Sequence, residues 1–161
     1  MGRDVLLDPW YVTGLCDGEA AFTFSRSGKA FALYFSICQR IDNREIIEKV
    51  QRYFKGIGTI YIRKERLPSR LSGHSKPNAY FRICRQDELM HVIEHFDKFP
   101  LQGKKKDVYR LWRAMALEKT KYSINCTCEE FQIFAEQIAL LNQQSRAFKK
   151  RIENVESNSD L

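Results

Sequence analysis

The sequence of 161 residues lacks any apolar run close to the roughly 20 residues that span a bilayer. Its first ten residues include two acids and an arginine and show no apolar leader, so we expect neither a membrane partner nor a secreted protein. The cysteines are only five, an odd number, which favours reduced thiols in an intracellular protein over a disulfide framework.

The sequence does contain enough apolar residues for a core, together with an excess of basic charge. Hydrophobic residues make up 43% of the chain, including 11 Phe, 7 Tyr and 2 Trp, which argues against wholesale disorder. Of the net charge of +7, residues 20–41 and 49–86 together carry +12, and all other residues sum to −5. This polarised charge indicates a polyanionic partner such as nucleic acid.

The spacing of apolar residues in the first third of the chain predicts a helix, a hairpin and a second helix. Asp8 followed by Pro9 has the residue types that begin a helix, which we expect to end near Gly18. Period-two alternation then predicts a hairpin over residues 20–39, and Asp42 is the expected cap of the next helix.

The same plan is repeated further along the chain. Alternation predicts a second hairpin over residues 59–65 and 78–84, and the helices after it are expected to begin at Asp87, Gly103 and Thr127. The order is a duplicated αββ plan with further helices, in one α+β domain over residues 1–151. The acidic tail over 152–161 is expected to be frayed.

Two carboxylates lie at the predicted end of the first helix, in the sequence VTGLCDGEA of residues 12–20. The helix dipole disfavours an acid there by roughly 0.3–1 kcal/mol, so we expect a cation beside Asp17 and Glu19. Gly14 and Gly18 share one helix face, where another backbone could approach closely. In the alternative interpretation, Gly18 is only a C-cap glycine and the acids are solvated.

Residues 12–20 resemble the LAGLIDADG motif, and the elements over roughly residues 8–120 resemble the αββαββα core of the LAGLIDADG homing endonucleases. The matching positions are Gly14, Leu15, Asp17 and the acid Glu19, and the departures are Val12, Thr13, Cys16, Gly18 and Ala20. The resemblance implies a saddle-shaped antiparallel sheet with extra C-terminal helices.

For function, the resemblance implies an intron-encoded homing endonuclease that hydrolyses a long pseudo-palindromic target in double-stranded DNA, with no small-molecule substrate. The single motif implies a homodimer whose motif helices pack together through Thr13, Gly14 and Asp17. Glu19 and the Gly18 carbonyl are the implied ligands of Mg²⁺, for which Mn²⁺ or Ca²⁺ would substitute in binding.

Local similarity to the family suggests two more catalytic residues. The stretch FSICQ of residues 35–39 resembles the one whose last polar residue orders the catalytic water, which is Gln39 here. The stretch PLQGKKK of residues 100–106 resembles a family segment whose lysine supports the transition state. We assign this role to Lys104, with Lys105 as the competitor. Composition alone would class the lysines as a solvated helix start.

Polar side chains alternate with apolar ones along all four predicted strands, so they share one face if the hairpins join in one sheet. Such a face fits the major groove, where Arg pairs with guanine and Asn with adenine, whereas the alternative is a sheet that faces water. The predicted DNA-binding residues are Thr23, Ser25, Tyr34, Ser36, Cys38, Arg40, Thr59, Tyr61, Arg63, Glu65, Asn78, Tyr80 and Arg82.

No zinc site is predicted. His91, Glu94 and His95 match a zinc-protease pattern, but the apolar face of their helix places them on its solvated outer side. Cys126 and Cys128 have no Cys or His partner nearby.

Two other functions compete with the endonuclease: a splicing maturase or DNA-binding regulator that keeps the fold without cutting, and a protein-interaction domain. We expect an intracellular location, in an organelle or in a microbial cytoplasm.

Overall fold

The chain folds in the predicted order of helices and hairpins. The computed structural model describes residues 6–27, 30–68, 73–121 and 129–143. The elements are α1 (Pro9–Glu19), β1 (Ala20–Ser27), β2 (Ala30–Arg40), α2 (Arg44–Tyr53), β3 (Thr59–Arg63), β4 (Asn78–Ile83), α3 (Gln86–Lys98), α4 (Lys105–Lys121) and α5 (Glu129–Gln143), with a 3-10 turn at Ile41–Asn43. Three features of the sequence analysis lie outside the described residues: the predicted cap Thr127, the cysteines Cys126 and Cys128, and the tail over 152–161.

The four strands form one antiparallel sheet in the order β1-β2-β4-β3, so the predicted joining of the two hairpins is confirmed. The register pairs Phe22 with Phe35, and Phe35 in turn with Ile83, on the side that packs against the helices. Burial alternates along β4, as expected for a sheet with one covered face. None of the helices in the described ranges is long and apolar enough to cross a membrane.

Aromatic rings fill the space between the sheet and the helices. The Phe22 ring meets those of Phe96, Tyr109 and Trp112 at centroid distances of 5.3, 5.1 and 5.4 Å. The Trp112 indole also donates a hydrogen bond to the Thr23 carbonyl at 3.1 Å. Because Tyr109 and Trp112 belong to α4, these contacts fix that helix against β1, the strand that follows α1.

Two helix starts differ from the prediction. Asp42 lies in the 3-10 turn and pairs with Arg40 at 2.9 Å, and α2 begins at Arg44 without a side-chain cap. Asp87 lies in the first turn of α3 and pairs with Arg85 at 2.7 Å, and α3 has no side-chain cap either. In both places the aspartate, which the sequence pattern predicted to cap the helix backbone, instead forms an ion pair with a neighbouring arginine.

His95 is buried, which corrects the prediction that it lies on the solvated side of α3. Its Nε2 lies 3.1 Å from the Thr13 hydroxyl and its Nδ1 2.8 Å from the Tyr53 hydroxyl, so the ring joins α1, α2 and α3. Burial lowers the pKa of His95 to about 4. Within the described ranges, no three His, Cys, Asp or Glu side chains lie close enough together to share a metal ion.

Acid should weaken the fold through His95. Its pKa is about 4 when folded against a usual 6.5, so the folded state favours the neutral ring. This stability is fully present above pH 6.5 and is lost as the pH falls toward 4, by up to about 3 kcal/mol at roughly 1.4 kcal/mol per pKa unit. Urea unfolding at pH 7 and 4.5 should show a smaller pH effect in His95→Gln than in the wild type. The exposed-side control His91→Gln should behave like the wild type, and equal pH effects in all three proteins would contradict the assignment.

Candidate active site and sheet face

The motif helix α1 runs to Glu19 and passes directly into β1. The backbone N–H of Ala20 closes the helix by bonding the Cys16 carbonyl. Gly18 does not have a positive φ, so it is not the left-handed C-cap glycine of the alternative interpretation. The side chain of Glu19 is exposed at the helix end, where it is available to a ligand.

Asp17 binds the backbone of the loop that precedes α4. Its carboxylate accepts hydrogen bonds from the N–H groups of Gln102 at 2.9 Å and Gly103 at 3.1 Å. A Cβ on Gly103 would lie 3.0 Å from the Asp17 Oδ1, so only glycine permits this close approach without a shift. The solvated-acid interpretation is therefore wrong for Asp17, which instead fastens the start of α4 to the end of α1.

Lys105, the second lysine of the triplet, supplies the cation that the helix dipole predicted. Its Nζ donates to the Gly18 carbonyl at 2.7 Å and to the Cys16 carbonyl at 3.3 Å. Burial lowers the pKa of Lys105, and the charges of Glu19 and Asp17 oppose that shift. Lys104, the residue assigned from the sequence, has an exposed side chain. The structure therefore brings Lys105 to the motif in place of Lys104.

Replacing Asp17 should loosen the junction between α1 and α4. Asp17→Ala leaves two backbone donors without their acceptor, which we expect to lower the free energy of unfolding by about 1–3 kcal/mol. Asp17→Asn retains one acceptor oxygen and should lose less. Urea denaturation measures both changes, and an Asp17→Ala protein as stable as the wild type would contradict the fastening role.

Gln39 lies near the same end of the sheet as Glu19. Ala20 pairs with Ile37 in antiparallel register, so the chain before Ala20 and the chain after Ile37 extend past the same end of the β1–β2 pair. The Gln39 Oε1 accepts a hydrogen bond from the Asn43 amide at 3.1 Å. That contact fixes the Gln39 carboxamide, which is half-buried.

The predicted interface residues do not all lie on the same side of α1. Thr13 is 2% exposed and its hydroxyl donates to the Phe99 carbonyl at 2.8 Å, so it is turned into its own chain. Asp17 is held by its own loop. The Thr13 and Asp17 side chains are thus engaged within the chain, Gly14 lies on an open surface, and the role of all three in an interface stays a prediction.

We call Trp10, Tyr11, Gly14 and Gly18 the open face of α1. A Cβ on either glycine would meet nothing within 4 Å, and the two aromatic side chains are 53% and 51% exposed. The sequence analysis does not place Trp10 and Tyr11 at this surface. The available signal is that apolar residues of α1 lie on more than one side of the helix, which indicates a second packing surface. The open face can accept a second helix at close range.

The strand register places twelve of the thirteen predicted DNA-binding residues on the sheet face opposite the core. Glu65 is the exception, because β3 ends at Arg63, and its carboxylate lies 2.6 Å from the His74 ring. Ser36 lies on the face but is only 8% exposed, since it stands between Ala21 and Arg82 on neighbouring strands. The prediction that these residues share one face of the sheet is confirmed for twelve of them. Ser36 is too buried in the isolated chain for direct contact with a ligand.

Two aromatic rings lie against an arginine at the centre of this face, and a third ring stacks on one of them. The Arg82 guanidinium lies 4.3 Å from the centroid of the Tyr34 ring and 5.4 Å from that of Tyr61. The rings of Tyr61 and Tyr80 stack in parallel, 5.0 Å apart. We call these four residues the Arg82 cluster.

The end of α1 offers oxygen ligands that suit Mg²⁺. Carboxylate and carbonyl oxygens are the donors this ion prefers, and it commonly takes one or two protein ligands and completes its shell with waters and substrate phosphates. The exposed Glu19 carboxylate fits that pattern, and the Gly18 carbonyl would join it if the Lys105 ammonium moved from Gly18 toward the Cys16 carbonyl. They are only part of a coordination shell, in keeping with the absence of any larger group of potential ligands in the described part of the chain.

Comparisons with known proteins agree with this geometry. Residues 12–116 match the family model described as LAGLIDADG endonuclease, and the chain belongs to that family. A probable intron-encoded endonuclease, Cox1-I1b of Schizosaccharomyces pombe, is 31% identical over 108 residues, which is 64% of this chain and 25% of that protein. An uncharacterized 50.9 kDa protein in ND4 intron 1 of Podospora anserina is 28% identical over 125 residues, 71% of this chain and 25% of that protein. The chain thus spans about a quarter of each relative.

Solved structures share the fold. The LAGLIDADG meganuclease I-AabMI, bound to uncleaved DNA, is similar at a TM-score of 0.67 and 24% identity, over 82% of this chain and 43% of that one. The homing endonuclease I-TnaI is similar at a TM-score of 0.66 and 21% identity, over 95% of this chain and 99% of that one. The predicted α+β architecture is confirmed.

Proposed function

We propose that the protein is a site-specific double-strand DNA endonuclease that depends on a divalent metal. One observation carries the proposal: the exposed Glu19 carboxylate, the Gly18 carbonyl and the Lys105 ammonium meet at the end of α1. The sheet that starts there bears a polar face with the basic side chains Arg40, Arg63 and Arg82. Family membership and a DNA-bound relative of the same fold support the assignment.

The residues at the end of α1 have distinct expected roles. Glu19 and the Gly18 carbonyl would hold Mg²⁺, which when bound lowers the pKa of water and stabilises a leaving oxygen. The Lys105 ammonium is held by backbone carbonyls and can stabilise the charge that develops on the scissile phosphate. Gln39 can orient the attacking water through its amide.

The active unit is proposed to contain two copies of this fold that meet at the open face of α1. I-TnaI is matched over 99% of its length, whereas I-AabMI is matched over 43%. A second copy of this chain would supply the other motif helix, so that each copy places its Glu19 carboxylate at one of the two DNA strands.

A larger side chain at Gly14 should abolish this pairing. A Cβ at position 14 meets no other atom of its own chain within 4 Å, and leucine is a better helix former than glycine. The fold of Gly14→Leu should therefore be retained. The wild type is expected to sediment as a dimer and the variant as a monomer in analytical ultracentrifugation. The matched control Ala139→Leu, on an exposed position of α5, should remain dimeric. A dimeric Gly14→Leu protein would overturn the assignment of the open face.

Incubation with a library of randomised DNA duplexes and Mg²⁺ tests the proposed activity. Sequencing of the cut ends should reveal one target sequence cut in both strands at a fixed position. Selective binding without cutting would instead support the maturase or regulator. Binding without steep salt dependence would favour a protein-interaction domain, because phosphate contacts release counterions.

The location of the gene and protein is part of the same proposal. Both curated relatives carry intron designations, one of them as an intron-encoded endonuclease. An intron-encoded gene, in an organelle or a microbe, is the corresponding expectation for this chain.

A further inference from the structure

Arg82 occupies the middle of the polar sheet face. It lies on β4, an inner strand of the sheet, opposite Ser36 of β2 and Thr59 of β3. These two neighbours have short hydroxyl side chains. Arg82 also lines an open depression of about 550 Å³, whose other walls include Arg63 and Tyr80. The guanidinium therefore has room around it for a flat ligand.

No carboxylate among the described residues forms an ion pair with Arg82. Arg40, Arg85 and Arg113 each pair with an aspartate, whereas the Arg82 guanidinium lies over the ring faces of Tyr34 and Tyr61. Its Nε is buried and has no hydrogen-bond acceptor. Because the enclosed Nε is out of reach of a ligand, an acceptor that arrives from outside would bind the Nη groups of the guanidinium.

Two parallel N–H donors match one base edge in the major groove. Guanine presents O6 and N7 there as adjacent acceptors, and no other base presents two. We propose that Arg82 reads a guanine at one fixed position of the DNA target, with Tyr34 and Tyr61 as its positioning residues. This inference rests on the proposed function and specifies one element of its substrate.

A phosphate is the other partner that a guanidinium fork suits, but the location of Arg82 favours a base. Phosphates can be reached by exposed side chains at the ends of strands, such as Arg40 and Arg63. Arg82 is half-buried on an inner strand and is held between rings, so its fork is already ordered before DNA binds. Such preorganisation reduces the entropy lost on binding and favours a contact of fixed geometry.

The aromatic neighbours keep the fork in place. Tyr61 is itself supported by the parallel stack with Tyr80, and the Tyr80 hydroxyl is hydrogen-bonded with Cys38 and Arg63. Because a cation is attracted to the face of an aromatic ring, a phenylalanine can replace either tyrosine beside Arg82, whereas a leucine cannot.

Selection of bound duplexes from a randomised library, in Ca²⁺ to allow binding, tests the proposal with the full-length protein. The wild type should prefer guanine at one position by roughly 10- to 100-fold over other bases. In Arg82→Gln, whose amide matches adenine rather than guanine, that preference should be lost while the other positions keep theirs. Tyr34→Leu and Tyr61→Leu should weaken the same preference, and the Phe variants should restore it.

The control Arg113→Lys, on α4 and paired with Asp97, should leave the guanine preference intact. If the wild type selects a defined sequence and Arg82→Gln retains every preference, the assignment of Arg82 is overturned and the proposed function stands. An even loss at all positions would also overturn it, because Arg82 would then be structural or phosphate-binding. If the wild type selects no sequence, the proposed function itself fails.

Discussion

Glu19→Gln should reduce DNA cleavage by at least about 10³-fold and leave sequence-specific binding nearly unchanged. The substitution replaces a carboxylate with a neutral amide of the same shape, so it removes the charge that attracts the metal. The side chain is exposed at the end of α1, so the fold should be retained. Single-turnover cleavage of the selected duplex in Mg²⁺ measures the rate, and gel-shift titration in Ca²⁺ measures binding.

Glu45→Gln is the matched control for this experiment. Glu45 is an exposed glutamate on α2 whose carboxylate pairs with Lys49 at 2.6 Å, and such surface pairs contribute little to stability. This variant should cleave like the wild type. Equal rates for Glu19→Gln and the wild type would show that the carboxylate at the end of the motif is not part of the catalytic site.

Lys105→Met should lower the cleavage rate by about 10²- to 10³-fold, whereas Lys104→Met should change it only a few-fold. The magnitude is typical of the loss of one preorganised donor that stabilises transition-state charge. Of the two ammonium groups, that of Lys105 is the one bonded to the Gly18 carbonyl, beside the proposed metal ligands. Methionine keeps a similar length without the charge, so the two variants compare position rather than size.

The two lysine variants form their own control, since the residues are adjacent and each substitution removes one positive charge. Circular dichroism should show both proteins folded. A larger loss of activity in Lys104→Met than in Lys105→Met would restore the assignment made from the sequence and contradict the one made from the structure.

The fold was predictable because its signals are local. Period-two alternation requires only neighbouring residues, and it placed Tyr80 and Arg82 on the correct face of β4. The end of α1 near Gly18 and the need for a cation there also followed from residue types and the helix dipole. These features depend little on what packs against them.

The details that were not predictable depend on contacts between distant parts of the chain. The burial of His95 rests on hydroxyls of Thr13 and Tyr53, which are 82 and 42 residues away in sequence. The choice of Lys105 over Lys104 depends on how the loop before α4 is fastened, a contact that joins Asp17 to Gly103 across 86 residues. Spacing along the sequence carries no signal for either.

Cleavage of the selected duplex as a function of Mg²⁺ concentration tests the central claim most directly. The wild-type protein should give no product in EDTA and a double-strand break at one fixed position as Mg²⁺ is added, with a rate that saturates. Equal cleavage in EDTA would contradict the proposed metal site at the end of α1. Specific binding with no cleavage at any Mg²⁺ concentration would contradict the endonuclease itself.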